Sequence, residues 1–213
     1  MEVLRLFPTP IVVATIPNAE ALNAELRSII LARERANASI ERSNQGGWQS
    51  SWDMHEWGGA PMQKVVAHAR AVVDDATVDR AGNRPKIAWR INSWANVSRL
   101  GHGNQFHTHP GALWSVSYYV DDGGIGNDPS LGGEFEIRDP RGVAPIMYAP
   151  QLTFPGADFV ALGESQRLAP RAGVLIVFPS WLSHGVCPYR GNAERISIAI
   201  NFSIANIQAN VPG

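Results

Sequence analysis

The chain has 213 residues, 45% hydrophobic and 17% charged, with a formal net charge of −1. Those values fit one globular domain with a sizeable core and exclude a disordered chain. The positive excess of a general nucleic-acid binder is missing, and the lone Cys187 excludes an intrachain disulfide or a Cys-rich zinc site.

Gly 20 and Pro 15 promise many turns, hence β-structure. Residues 1–8 lack the shape of a signal peptide, and no apolar run reaches the length of a membrane span. A cytoplasmic protein is the expectation.

Taken in chain order, Leu4 to Ile16 reads as one or two short strands broken by prolines. From Ala19 to about Ala38, Leu22, Leu26, Ile29, Ile30 and Ala32 recur at helical spacing, with Asn18 as N-cap. Ser43 to Gly59, carrying Trp48, Trp52 and Trp57, has no clear period and reads as an ordered loop or edge strand. Its Trp-rich part, 48–57, suits either a lid or a dimer contact. Pro61 to about Val78 is a second helix, with an apolar stripe of Val65, Val66, Ala69, Val72 and Val73.

After Asn83 the pattern turns to strands. Ile87 to Ser98, Leu113 to Val120, Gly133 to Ile137, Leu152 to Phe154, Gly173 to Phe178 and Arg195 to Ile204 are separated by Gly/Pro/Asn/Asp turns. The residues alone predict two helices on one side of an antiparallel sandwich, in a single domain. Its N-terminal strand and supporting helices fill residues 1–84, and the β core fills 85–206.

Six histidines offer metal chemistry. His55, His68 and His102 read as structural or solvated. His107 and His109 are two apart, so on extended backbone their rings share a face, about 6–7 Å apart at Cα. That spacing suits a shared metal ion, and equally two solvated loop imidazoles. His184 follows the buried run Val174 to Pro179, which sets it at the mouth of a sandwich or barrel. Along Arg195 to Phe202, Arg195, Ser197, Ala199 and Asn201 alternate with Ile196, Ile198, Ile200 and Phe202. If the polar face points into a cavity, Arg195 needs an anionic partner there.

Five segments in order carry a resemblance: Phe106-His107-Thr108-His109-Pro110; Tyr118-Tyr119-Val120; Gly132-Gly133-Glu134-Phe135; Phe178-Pro179-Ser180-Trp181-Leu182-Ser183-His184; and Glu194 to Phe202. Over residues 87–204 the chain resembles the 2-oxoglutarate- and Fe(II)-dependent dioxygenases. The likeness is to their prolyl-hydroxylase-like branch and to bacterial and phage proteins with an HxHP pattern. Leu6 to Pro10 and Gly46 to Ser50 also look like that bacterial group.

The resemblance implies a mainly β fold, the double-stranded β-helix or jelly roll, with two supporting N-terminal helices and iron at its open end. It implies metal ligation by His107, His109 and His184, with His109 where most members carry Asp or Glu. It also implies that Arg195 and Ser197 bind the distal carboxylate of 2-oxoglutarate and that Tyr119 hydrogen-bonds the cosubstrate. Asn96, on the strand before His107, is a further candidate to meet it. Asn104, just before His107, reads equally as a polar residue that meets cosubstrate or substrate and as a turn residue beside Gly103. Asp121, Asp122 and Glu134 are weaker sources of a carboxylate ligand.

The implied activity couples oxidative decarboxylation of 2-oxoglutarate to hydroxylation of a small-molecule or peptide substrate with O2. Nucleic acid is disfavoured, and a homodimer is the default assembly. Two alternatives stand beside this: a three-His, cupin-like dioxygenase that does not use 2-oxoglutarate, and a non-catalytic jelly-roll binding module. Trp94, Trp114 and Trp181 fit either cavity walls or core. Cys187 reads as packing.

Overall fold

A computed structural model describes residues 7–143, 147, 149–152 and 165–208. The chain order is β1 (Val12–Thr15), α1 (Glu20–Ala36), β2 (Asn44–Gln45), β3 (Trp48–Gln49), α2 (Met54–Trp57), α3 (Gly59–Ala76), β4 (Lys86–Ser98), β5 (Gly103–His107), β6 (Trp114–Asp122), a 3-10 turn at Pro129–Leu131, β7 (Phe135–Arg138), β8 (Ser165–Leu168), β9 (Val174–Pro179), β10 (His184–Val186) and β11 (Arg195–Gln208). Two antiparallel sheets result. The larger runs β1-β9-β6-β11-β4-β3 and the smaller β2-β5-β10-β7-β8.

The alternation in β11 sets the layers. Ile196, Ile198, Ile200 and Phe202 point to the outer face of the larger sheet, where Val116, Tyr118, Leu175 and Val177 join them. The apolar stripes of α1 (Leu26, Ile30) and α3 (Val65, Val66, Ala69, Val73) cover that face. One strip of each helix is apolar because those positions recur every three or four residues. Tyr118 donates its hydroxyl to Asn23 Oδ1 and so ties α1 to the sheet.

The opposite face of the larger sheet looks across to the smaller one. Tyr119, Phe135, Ile137, Ile176, Phe178 and Leu182 fill part of that space. Cross-strand register puts Asn96, Ser197 and Tyr119 in one row on this inner face, with Gln49 extending it from β3. Ion pairs brace the ends of the strands that carry Arg195. Arg27 of α1 meets Asp121 at 3.2 Å and Glu194 at 2.6 Å, and Arg99 meets Glu34 at 2.6 Å. These pairs are partly exposed, so each contributes about 1 kcal/mol or less.

Several expectations need correction. Asn18 does not cap α1. It takes a positive φ of 52°, and Ala19 occupies the cap position without a side-chain bond. Leu152 is not in a strand, and Thr153 and Phe154 lie outside the described residues. Asn104 sits inside β5, paired with Asn44, and is not a turn residue. The Trp-rich segment is neither pure loop nor one edge strand. Its β2 joins the smaller sheet and its β3 the larger, so it bridges one seam of the sandwich before α2. Asp121 and Asp122 end β6, then accept the backbone N–H groups of Gly123 and Gly124.

Asn23→Ala should leave the buried Tyr118 hydroxyl without its acceptor, at a cost of about 1–3 kcal/mol. Urea unfolding midpoints of the two proteins check this. Tyr118→Phe, which removes the stranded donor, should cost less.

Candidate metal centre

Backbone pairing assembles the histidines. β5 ends at His107 and β10 begins at His184, and the two residues are register partners across the smaller sheet. His109 follows two residues later in the connection to β6, where its backbone N–H donates to the Ser180 carbonyl at 2.9 Å. Ring centroids lie 4.4 Å apart for His107–His184, 4.8 Å for His107–His109 and 5.0 Å for His109–His184. One nitrogen of each ring falls within 4.8 Å of the others, and among the described residues no other His, Cys, Asp or Glu group of three does so.

Two of the rings have fixed tautomers. His107 Nδ1 lies 2.8 Å from the Gln105 carbonyl, and His184 Nδ1 lies 2.8 Å from the Leu182 carbonyl. A carbonyl only accepts, so each Nδ1 carries the proton and each Nε2 keeps its lone pair. Burial is the main reason all three rings resist protonation. It pushes His107 down, takes His109 to about 4 with help from the nearby His107, and takes His184 to about 3 with the same help. Three neutral, converging imidazoles are a donor set for a divalent transition metal. Phe178 and Phe135 wall in His184 at 4.6 and 5.3 Å. Asp121 pairs with Arg27, Asp122 caps a turn, and Glu134 is not grouped with the histidines, so among the described residues no carboxylate joins them in place of His109.

Arg195 sits on the inner face of the larger sheet, across from the smaller sheet that carries His107 and His184. It is 1% exposed, yet among the described residues no carboxylate comes within ion-pair distance. Its Nε donates to the Gly133 carbonyl at 3.0 Å, and its guanidinium stands 5.3 Å from the centre of the Tyr119 ring. Gly133 serves a steric purpose. At φ +75°, an added Cβ would lie 2.9 Å from Ile125 Cδ1 and 3.2 Å from Arg195 Cδ. Burial lowers the pKa of Arg195 but leaves a guanidinium charged at neutral pH.

Around that charge, polar atoms are poorly partnered. Asn96 Oδ1 is buried without a hydrogen bond; the Tyr119 hydroxyl, though beside the Arg195 guanidinium, is buried without one of good geometry; and Ser197 is 6% exposed between them in the row. Buried polar groups are rarely left so. A buried cation ringed by unspent polar groups fits a bound carboxylate.

Above the histidines opens a cavity of about 610 Å³, lined among others by Arg42, Gln49, Trp52, Asn92, Trp94, Phe106, His107, His109 and Asn201. Trp94 thus lines the cavity, while Trp114 belongs to the core and Trp181 is exposed. His55 bonds Ser93, His68 is exposed on α3, and His102 Nδ1 accepts from the Arg99 N–H, all away from this cluster. Cys187 bonds Glu136 and is pushed to about 12 by burial, which fits packing. The sequence reading did not single out Gln49, Asn92 or Trp52 as cavity residues. Trp52 was visible as part of an aperiodic, Trp-rich stretch.

The family described as "Putative 2OG-Fe(II) oxygenase" matches residues 92–201, just over half the chain. No curated protein matches by sequence. Among solved structures, the chain is similar to a Pseudomonas putida prolyl-4-hydroxylase (17% identity, TM-score 0.64, covering 93% of this chain and 94% of that one). It is similar to a Trichoplax adhaerens prolyl hydroxylase in complex with a hypoxia-inducible-factor peptide (13%, 0.63, 91% and 83%). It is also similar to HygX of Streptomyces hygroscopicus with nickel and 2-oxoglutarate bound (9%, 0.59, 92% and 84%). These likenesses establish the double-stranded β-helix fold.

An unfolded imidazole titrates near 6.5. Because His109 and His184 accept protons in the fold only near 4 and 3, the unfolded chain binds more protons between those values. Stability of the metal-free protein is therefore full above about pH 6.5 and falls as pH drops towards 4. Urea midpoints at pH 7.5 and 5 should show the loss, and a His109→Gln, His184→Gln variant should show a flatter slope.

Proposed function

The chain belongs to the 2OG-Fe(II) oxygenase family, and from that premise we propose that His107, His109 and His184 hold its iron while Arg195 and Ser197 bind the distal carboxylate of 2-oxoglutarate. The enzyme couples oxidative decarboxylation of 2-oxoglutarate to hydroxylation of a second substrate. The observation that carries the site assignment is the fully buried guanidinium with no carboxylate within ion-pair distance among the described residues, on the inner face of the larger sheet and opposite the sheet that carries His107 and His184.

Fe(II) with bound 2-oxoglutarate supplies the oxidising chemistry, in which O2 is consumed and succinate and CO2 are released. The protein contributes position and charge. Nε2 lone pairs of His107 and His184, aimed by the Gln105 and Leu182 carbonyls, and a ring nitrogen of His109 supply three ligands and leave further positions for cosubstrate and O2. Arg195 presents parallel N–H donors that pair with a carboxylate in one orientation. Its own bond to Gly133 fixes the fork before the cosubstrate arrives. Tyr119 and Asn96 stand in the same row to complete the polar shell. Phe135, Phe178, Ile176 and Leu182 keep water from the space between the sheets.

A third imidazole in place of a carboxylate leaves the centre one unit more positive. That favours anionic ligands and makes the oxidised metal harder to reach. A dioxygenase that did not use 2-oxoglutarate would leave the buried Arg195 with no carboxylate at ion-pair distance among the described residues, which disfavours that alternative. The cavity over His107 and His109 receives a small-molecule or peptide substrate. None of the helices in the described residues is long and apolar enough to cross a membrane. With a single, buried, free thiol, the reading is of a cytoplasmic enzyme.

Succinate release should require both Fe(II) and 2-oxoglutarate. Truncating one partner of a buried charge pair costs about 2–5 kcal/mol, so Arg195→Ala should raise the KM for 2-oxoglutarate about 30-fold or more. An unchanged KM in that variant counts against the assignment.

A further inference from the structure

His109 differs from its two companions in how its ring is held. The rings of His107 and His184 are each anchored by a backbone carbonyl at 2.8 Å, but no hydrogen bond to the His109 ring is found among the described residues. What touches it instead is Trp94, edge-on, with ring centroids 5.5 Å apart and planes at 65°. Trp94 is 8% exposed, and its strand register with Ala199 sets it on the inner face.

The support extends outward. Trp52 packs on Trp94 at 6.5 Å, and the Arg42 guanidinium lies 5.2 Å from the Trp52 ring centre. Trp52 is tied to the same strand by its carbonyl, which accepts the Ser93 N–H at 3.0 Å. Arg42, Trp52, Trp94 and His109 thus form a stack that runs from the rim of the cavity to the third imidazole, and all four line that cavity.

We infer that Trp94, backed by Trp52, is the positioning residue for His109, replacing with ring contacts the hydrogen bond that aims the other two ligands. The inference rests on the reading that three imidazoles hold one metal ion. The physics is that of an outer-shell partner. A ligand whose rotamer is already fixed loses less freedom when the metal binds, and removing such a partner costs about 10–100-fold in metal affinity. Edge-to-face ring contacts are directional enough to set a rotamer, at about 0.5–1.5 kcal/mol per pair. The stack also gives the Trp-rich segment a role: it brings Trp52 against Trp94 from outside the strand core.

The test is titration of chelator-stripped full-length protein with Co(II), read both as affinity and as the ligand-field absorption of the bound ion. Trp94→Ala should weaken Co(II) binding about tenfold and change the absorption. Trp94→Phe, which keeps an aromatic edge towards His109, should stay close to wild type in both. Trp94→Leu, which fills the core without a ring, should behave as Trp94→Ala.

His109→Ala decides between positioning and general destabilisation. If Trp94 acts through His109, adding Trp94→Ala to His109→Ala should cost no further affinity. Wild-type affinity in Trp94→Leu, or the same loss with and without His109, overturns the inference while leaving the metal reading intact. Failure of the wild-type protein to bind Co(II) overturns the metal reading itself, and the inference with it.

Discussion

When β5 and β10 pair, His184 must face His107, because the ladder fixes which residues are opposite one another. The rest of the site hangs on that pairing. Loss of one residue of register would turn a ring to the other face of the sheet. The register shifts only past that pair, between His184 and Val186. His109 then needs only a two-residue step to join, and its backbone bond to Ser180 secures that step.

The second half of the site depends on a different strand in the other sheet. β11 has one face of branched and aromatic residues under the helices and one polar face between the sheets. Putting Arg195 on the inner face is costly unless an anion meets it. The glycines at 123 and 133 leave room for its stem, and the α1 ion pairs hold Asp121 and Glu194 on either side. Much of the local sequence is thus committed to keeping one cation inside the protein. A structural role alone does not account for that commitment, since an apolar residue would fill the space at lower cost.

How much of this was readable beforehand varies by element. Helices α1 and α3 and the long strands β4, β6, β9 and β11 declared themselves by period or by continuous apolar runs. Of the smaller sheet, β7 was legible as Gly133 to Ile137, and β2, β5, β8 and β10 were not. β5 (Gly-Asn-Gln-Phe-His), β8 (Ser-Gln-Arg-Leu) and β10 (His-Gly-Val) are short and largely polar, with little alternation to read.

 Strand β8 consists of Ser165, Gln166, Arg167 and Leu168, only one of them apolar, and it is a strand because β7 offers it a partner. Tertiary pairing of this kind leaves no local trace. The histidines were legible from residue type and spacing, and Arg195 from the alternation of its strand. The stack on His109 was not, because Trp52 and Trp94 are brought together by β3 and α2 folding back on β4, with no periodic signal in residues 43–59. Asn18 misled because its side chain suits a cap, while its backbone takes the left-handed conformation that Asn tolerates.

The central claim is that the three imidazoles and the buried guanidinium belong to one site, with metal at one end and a dicarboxylate spanning the distance between them. Anaerobic addition of Fe(II) and 2-oxoglutarate to the metal-free protein, followed by visible absorption, tests it most directly. The account predicts a weak metal-to-ligand charge-transfer band that needs both additions and disappears when His184 is replaced by Ala. Iron binding without that band, or the same band in the His184→Ala protein, would contradict it.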